Sequence, residues 1–579
     1  MPVIRISQDL AHRITEAIAR AQAAGDLPAF EIPEVQVTRP KNLEHGDYAT
    51  PAAMQLASLA RMKPDQIAGL IVEQLPQIEY VSGVTRTGGF INFQLSTAWL
   101  QQQVEQIRLE GESVGQMTDF AGRRAQVECV SANPTGPITV GRVRGGVIGD
   151  TLARLLRAVG YDVELEYYFN NAGRQMRMLG ESLKARYRES LGLPFEFPDG
   201  GYQGDYLYEI AQRMISEQGT SLAEAGWEPF KEYAERAIFQ MIENALRRVN
   251  IQFASFFNEN WVYEDGSIER VVAELRKRGL VYEALLPEHD EDVDARPDAA
   301  DLDDAVTADG KPATWVRMRQ IRGVKKDAAI IKSSGEPTYR LPDTAYHINK
   351  LERGFNPAIN ILGADHIEEA KDVAAMVAAL GYDADRIKVV LHQFVTLTEG
   401  GETKRMSTRK GEFVTLDELV DDVGPDAVRY FMLARSPVSH MDFDLELARK
   451  HSNENPVFYI QNAHVRCASI ERVAEERGVN YRDGDVTLLS SPEELALIRK
   501  MVELPDAISF AVETLEPHKI AFWALELARV FHPTYEEVRA LHGEVPEALA
   551  KARLKLYAAA RLVLKRALDL MGMNAPERM

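Results

Sequence analysis

An α/β fold built on a parallel sheet, followed by an all-helical region, is what this sequence predicts, and three observations carry the prediction. Residues 127–130 form a short apolar run, closed by the turn-rich segment Ser131-Ala132-Asn133-Pro134-Thr135-Gly136-Pro137. Val143, Val147, Ile148, Leu152 and Leu155 then recur at helical spacing. Strand and helix patterns alternate through roughly residues 116–440, and beyond about 440 strand signals nearly vanish. A strand, a Gly-containing loop and a helix start in that order suit an anion, because free N–H groups and the positive end of the helix dipole face one point. The same pattern also fits an ordinary βα unit of a parallel sheet.

The elements read as follows in chain order. Residues 1–115 look like a separate α/β unit, with a helix over 9–24, a loop at 40–50 and an alternating strand at 88–96. No catalytic constellation stands out there, so a binding appendage is expected. A second strand at 163–168 leads into Asn170-Asn171-Ala172-Gly173-Arg174-Gln175. Residues 178–266 read as mostly helical, with a Gly/Pro/aromatic break at 194–207. The acidic tract 287–309 has no apolar period and reads as a solvated loop. Its spacing does not fit a calcium loop, and the glycine such a loop needs is missing. Further strands are expected at 328–332, 358–362 and 389–397, and a Gly-rich basic segment at 400–416. The last helix, 550–571, carries Lys551, Arg553, Lys555, Arg561, Lys565 and Arg566. These charges suggest a basic helical module, or simply a solvated helix face.

Composition limits the function classes. The 579 residues exceed what one core serves, so roughly two to four domains are expected. A net charge of -20 disfavours loose attraction to nucleic acid or anionic membrane and leaves room for local basic patches. No apolar run approaches a membrane span, and the first residues lack a signal-peptide pattern, so a cytoplasmic protein without membrane attachment is expected. Two cysteines, Cys129 and Cys467, read as small buried hydrophobes rather than redox or metal groups.

Many short motifs now stand in a fixed order. They are HGDYAT (45–50), GGFINF (88–93), SANPTGP (131–137), RGGVIGDTLARLL (144–156) and NNAGRQM (170–176), then PTYRLPDTAYH (337–347), GADH (363–366) and MSTRKGEFVTLDELV (406–420). The stretch 439–466 and the ending LMGMNAPERM complete the set. Together they resemble the arginyl-tRNA synthetase family of class I aminoacyl-tRNA synthetases over nearly the whole chain. The resemblance implies a Rossmann-type catalytic core at 116–440 with a mostly helical insertion at about 180–310. It also implies a tRNA-contacting domain at 1–115 and a helical anticodon-binding domain at 441–579. The implied reaction activates L-arginine with ATP to arginyl-adenylate and transfers it to the 3'-terminal ribose of tRNA-Arg. Mg²⁺ would arrive with ATP, and a monomer is expected.

The resemblance also assigns residues. Asp343 and Tyr339 fall at the guanidinium end of the arginine pocket, where paired acceptors are selective for a planar, multiply donating cation. Glu128, Ser131 and Asn133 match positions that contact the amino acid's backbone groups. Read without the family, Asn133 is a turn residue and Asp343 a helix N-cap. Gly141, Gly145, Asp365, His366, Met406 and Ser407 match ATP-binding positions. Arg409 and Lys410 supply cations for the α-phosphate as pyrophosphate leaves, since Arg405 and Thr408 stand where the wider class has lysines. The first phosphate loop departs from the class pattern His-x-Gly-His and reads Thr139-Val140-Gly141-Arg142. Gly141 survives, Thr139 keeps a hydroxyl, and Arg142 brings a permanent cation. Asn453, Asn455, Tyr459, Gln461 and His464 are where unpaired bases could be stacked and read. Three readings stay open: a working ligase, a synthetase-like protein that binds tRNA or arginine without activating it, and a nucleotidyl transferase with another acceptor.

Overall fold

The computed structural model describes residues 4–40, 42–171, 174–285, 311–321, 324, 326–403 and 414–579. The chain forms two compact units: one comprises Met1–Met117, His451–Thr514 and Lys519–Met579, the other Thr118–Lys450 with Leu515–His518.

The second unit is built on five parallel strands: β1 (Arg124–Glu128), β2 (Asp162–Phe169), β3 (Ser255–Asn258), β4 (Ala358–Gly363) and β5 (Ile387–His392). Their spatial order is β5-β4-β1-β2-β3, with every neighbouring pair parallel. The chain runs outward from β1 through β2 to β3, then returns to β1's other side as β4. The strand order therefore reverses between β1 and β4, which opens a crevice at their carboxyl ends. Helix α1 (Val140–Ala158) crosses from β1 to β2. Val140, Val143, Val147, Leu152 and Leu155 are buried along it, as the periodicity predicts. Gly149 lets it lie close to the sheet, because a Cβ there would come within 2.6 Å of the Cys129 Cβ. Two more helices flank the crevice, α2 (Arg340–Glu352) and α3 (Ile367–Ala379).

Two expectations need correction here. The strand expected at 389–397 is two strands in different sheets. β5 ends at His392, and Val395–Glu399 pairs instead with Met441–Asp444. Arg144 accounts for the break: its guanidinium donates to the Gln393 carbonyl at 2.8 Å while the Gln393 N–H donates to Pro437 O at 2.9 Å, so neither group serves β5. The stretch read as mostly helical also contributes β3, a four-residue apolar strand too short for periodicity to distinguish from helix. The acidic tract 287–309 lies outside the described residues.

The first unit joins both ends of the chain. Its N-terminal part begins with helix Ile6–Ala24, stopped by Gly25 in the left-handed region, and holds an antiparallel sheet ordered Tyr48–Thr50, Phe90–Leu95, Val81–Thr87. Its C-terminal part is helical, ending in Glu547–Leu570. The cations of that last helix are partnered within this unit. Lys551 pairs with Asp483, Arg553 with Glu494, Lys555 with Glu105, Arg561 with Glu471 and Lys565 with Glu112. Arg566 donates to Gln116 at 3.0 Å. The acidic surplus of the chain supplies these partners. Residues set aside for reading bases are likewise engaged. Asn455 caps helix Pro456–Glu476, Gln461 donates to Asn574 O at 2.9 Å, and the His464 ring bonds Pro576 O at 2.8 Å. Cys129 and Cys467 are buried, and burial holds both thiols well above their ordinary range.

Candidate active site

At the carboxyl end of β1 the chain turns sharply, with Val130 at φ 68° and Ser131 at φ 40°. A β-branched residue in the left-handed region is costly, so the surroundings must impose this turn. Three hydrogen bonds do so. The Ser131 hydroxyl donates to Glu128 Oε1 at 2.9 Å and accepts the Tyr168 backbone N–H at 3.2 Å. The Tyr167 hydroxyl donates to Ala132 O at 2.7 Å. Further along the loop, the Asn133 amide donates to Gln175 at 2.5 Å, which turns it toward the chain after β2.

Thr139 is the N-cap of α1, and its side chain makes no capping bond. The residues on either side of it pair with the chain that follows the basic segment: Val140 N donates to Val414 O at 3.2 Å, and Leu416 N donates to Ile138 O at 2.9 Å. The segment that opens α1 thus pairs with residues 414–416. Met406, Ser407, Arg409 and Lys410 themselves lie outside the described residues. Arg142 is exposed on the first turn of α1, and a Cβ at Gly141 would meet nothing within 4 Å. That pairing leaves an open floor beside a cation. Gly145 instead faces His392, whose Nε2 would lie 2.9 Å from a Cβ there. Burial pushes His392 down to about 4, so it is neutral at physiological pH.

A small cavity of about 80 Å³ opens between β1, β2, α2 and α3, lined by Glu128, Tyr168, Asp343, Tyr346, His347 and Glu369 among others. Helix α2 supplies Asp343, Tyr346, His347 and Lys350 at i, i+3, i+4 and i+7, one face of a helix. Lys350 is fully buried, with Nζ 2.5 Å from Glu128 Oε2, and it also donates to Asn360. Its ammonium lies 4.1 Å from the Tyr346 ring centroid. Asp343 is not an N-cap; that position is Tyr339. Burial, then repulsion from Glu128, Glu259 and Glu369, pushes the Asp343 carboxyl up to about 7. His347 donates from Nδ1 to Asp343 O at 2.7 Å, and burial followed by Lys350 holds its ring down to about 3. His366, also lining the cavity, sits 2.6 Å from Glu369, whose hydrogen bond raises its pKa. Asp365 lies 3.8 Å from the other His366 nitrogen and is largely exposed.

The cavity lining therefore brings together Glu128, Asp343 and His366, and Ser131 joins them only through its hydrogen bond to Glu128. It does not bring Asn133 or Tyr339 into the cavity lining; the Tyr339 ring lies exposed, 4.9 Å from the Arg340 guanidinium carbon. Tyr168, Tyr346, His347, Lys350 and Glu369 were not singled out from sequence. For the three on α2, helical spacing from Asp343 was the available signal. The lining holds more carboxylate than cation, which suits a planar cationic guest. Among the described residues, no three His, Cys, Asp or Glu come together as a metal cage. A larger open cleft of about 730 Å³ is lined by other residues of α2, Ala345, Ile348, Asn349 and Glu352.

Comparison with known proteins agrees with this geometry. Four family models match in order: the arginyl-tRNA synthetase N-terminal domain at 8–95, the class I (R) tRNA synthetase catalytic domain at 103–285, the class I (M) tRNA synthetases at 362–468 and the DALR anticodon-binding domain at 460–579. A protein of Desulfotalea psychrophila named arginine–tRNA ligase is 43% identical, with 94% of each chain covered. One of Prosthecochloris aestuarii with the same name is 43% identical over 97% of this chain and 99% of its own. The solved structure of Thermus thermophilus arginyl-tRNA synthetase matches in fold with a TM-score of 0.75 at 22% identity, covering 99% of this chain and 100% of that one. Across nearly its whole length, the chain belongs to the arginyl-tRNA synthetase family of class I aminoacyl-tRNA synthetases.

Proposed function

We propose that this protein is an arginine–tRNA ligase, which activates L-arginine with ATP and esterifies it to the terminal ribose of tRNA-Arg. The observation that carries this reading is the acidic cavity at the β1/β4 crevice, where Asp343, Glu128 and Glu369 face one another with Lys350 as a partial counterion. A guanidinium entering there gains charge-assisted bonds to carboxylates that otherwise repel. An uncharged or non-planar side chain leaves them partly unpaired, a strong basis for rejection.

The proposed roles rest on the family resemblance. Glu128, Ser131, Asp343 and, at the rim, Asn133 and Tyr339 receive arginine. Gly141, Gly145, Asp365 and His366 form the nucleotide side, with Met406 and Ser407. Thr139, Arg142, Arg409 and Lys410 stabilise charge at the α-phosphate as pyrophosphate departs. Mg²⁺ would be carried in by the triphosphate, its ligands chiefly phosphate oxygens. A division into domains near residues 115 and 440, a monomeric state and a cytoplasmic location complete the proposal.

The deciding experiment charges tRNA-Arg with labelled arginine alongside arginine-dependent ATP–pyrophosphate exchange. Charging in both assays is expected. Retained binding of tRNA-Arg with no product above background would favour the second reading, a synthetase-like binder. That reading rests on Thr139 and Arg142, which stand where the class pattern has histidines.

A further inference from the structure

The Tyr168 hydroxyl is buried against the cavity and has no hydrogen-bond partner among the described residues. The residue is 6% exposed. Its backbone N–H is taken by Ser131. Its ring packs against Phe257, at 6.0 Å and nearly parallel, and against Tyr346, at 4.6 Å, and those two rings lie 4.4 Å from each other. This packing fixes where the hydroxyl points. The charges that act on it most are those of Asp343, Glu259 and Glu128. A buried hydroxyl without a partner is unfavourable unless a guest supplies one.

We propose that Tyr168 is a specificity-determining residue for the arginine side chain, its hydroxyl accepting one guanidinium N–H beside the carboxylates. The inference rests on the arginine–tRNA ligase reading. A guanidinium offers five N–H donors in a fixed fork, and both Glu128 oxygens already accept, one from Ser131 and one from Lys350. A neutral acceptor adds a directional bond without adding a further buried negative charge. It also stands where a substituent on a terminal guanidinium nitrogen would collide.

Tyr168→Phe keeps the ring packing and removes only the acceptor. With the full chain and tRNA-Arg, KM for L-arginine in pyrophosphate exchange should rise about tenfold, while kcat and KM for ATP stay within about twofold. The ratio of kcat/KM for L-arginine over Nω-methyl-L-arginine should also fall, because the variant loses both the bond and the crowding. A purely structural role would move kcat or stability without moving that ratio. Equilibrium binding of labelled arginine to the wild-type chain separates the two proposals. If wild type binds and charges arginine and Tyr168→Phe matches it in both KM and selectivity, the Tyr168 proposal alone is overturned, and water satisfies the hydroxyl. If wild type binds no arginine, both proposals fall.

Discussion

Lys350 Nζ lies 2.5 Å from Glu128 Oε2 in a pocket where the lysine side chain is fully buried and the glutamate nearly so. The pair crosses from α2 to the end of β1, so it ties one wall of the acidic cavity to the other. Removing one member of a buried pair strands the other's charge, which typically costs about 3–5 kcal/mol. Lys350→Met should therefore lower stability by about that much, read as a shift in the denaturant midpoint. The double variant Lys350→Met/Glu128→Gln should recover most of the loss, because neither partner then needs a counterion. A single variant that unfolds at the wild-type midpoint would show that the pair contributes nothing.

Asp343 gives arginine binding a pH dependence. Its carboxyl is pushed up to about 7 by burial and by neighbouring carboxylates. A guanidinium favours the ionised form, so the bound-state value lies below the free one. Binding then releases a proton in that interval, and affinity falls as pH drops through about 7, by up to about tenfold per unit. Asp343→Asn should remove this slope and weaken binding at pH 8 by roughly tenfold or more. The linkage for folding has the opposite sign. A carboxyl raised above its unfolded value of about 3.9 binds more protons in the native state, so the free protein loses stability as pH rises from about 4 to 7. Saturating arginine should flatten that loss. Titration calorimetry in buffers of different ionisation heat reads the proton release directly.

Much of this arrangement was legible in the sequence, and the gaps have physical causes. β1, β2 and α1 announced themselves because an apolar run and a 3.6-residue period are local signals. β3 did not, since Ser255–Asn258 is four residues long and gains its identity from pairing with β2. The end of β5 depended on Arg144, a residue 249 positions earlier that takes the Gln393 carbonyl. Asp343 stood inside a family motif, and Tyr346, His347 and Lys350 follow it at helical spacing. Tyr168 gave no such cue. β2 is buried on both faces from Leu165 onward, and its polar alternation through Asp162, Glu164 and Glu166 stops before Tyr167 and Tyr168, which look equivalent until the fold assigns their faces.

Arg142 stands exposed on the first turn of α1, beside the open floor at Gly141. In the proposed role its cation serves the α-phosphate and not the guanidinium. Arg142→Ala should lower kcat for pyrophosphate exchange on the order of 10²-fold while KM for arginine stays constant. Arg142→His should keep the rate within about tenfold of wild type, because the ring restores a donor at the same position. An alanine variant as fast as wild type would place the α-phosphate contacts elsewhere.

Gly149 sets how closely α1 approaches the end of β1. A Cβ at this position would lie 2.6 Å from Cys129 Cβ, 2.7 Å from its Sγ and 3.3 Å from Ile361 Cγ1. Gly149→Ala must therefore push the helix off the strand, at a cost of about 1–3 kcal/mol. The nearest obstacle is the Cβ rather than the thiol, so combining it with Cys129→Ala should recover little. Cys129→Gly removes the Cβ itself and should recover more, offset by roughly 0.5–1 kcal/mol of backbone entropy. The displacement also has a functional reading, because Cys129 lies between Glu128 and the strained pair Val130 and Ser131. Moving it shifts the two residues that hold Glu128 toward the cavity. KM for arginine should rise in Gly149→Ala and return toward the wild-type value in the glycine double variant. A rise in KM that Cys129→Ala fully reverses would instead implicate the sulfur.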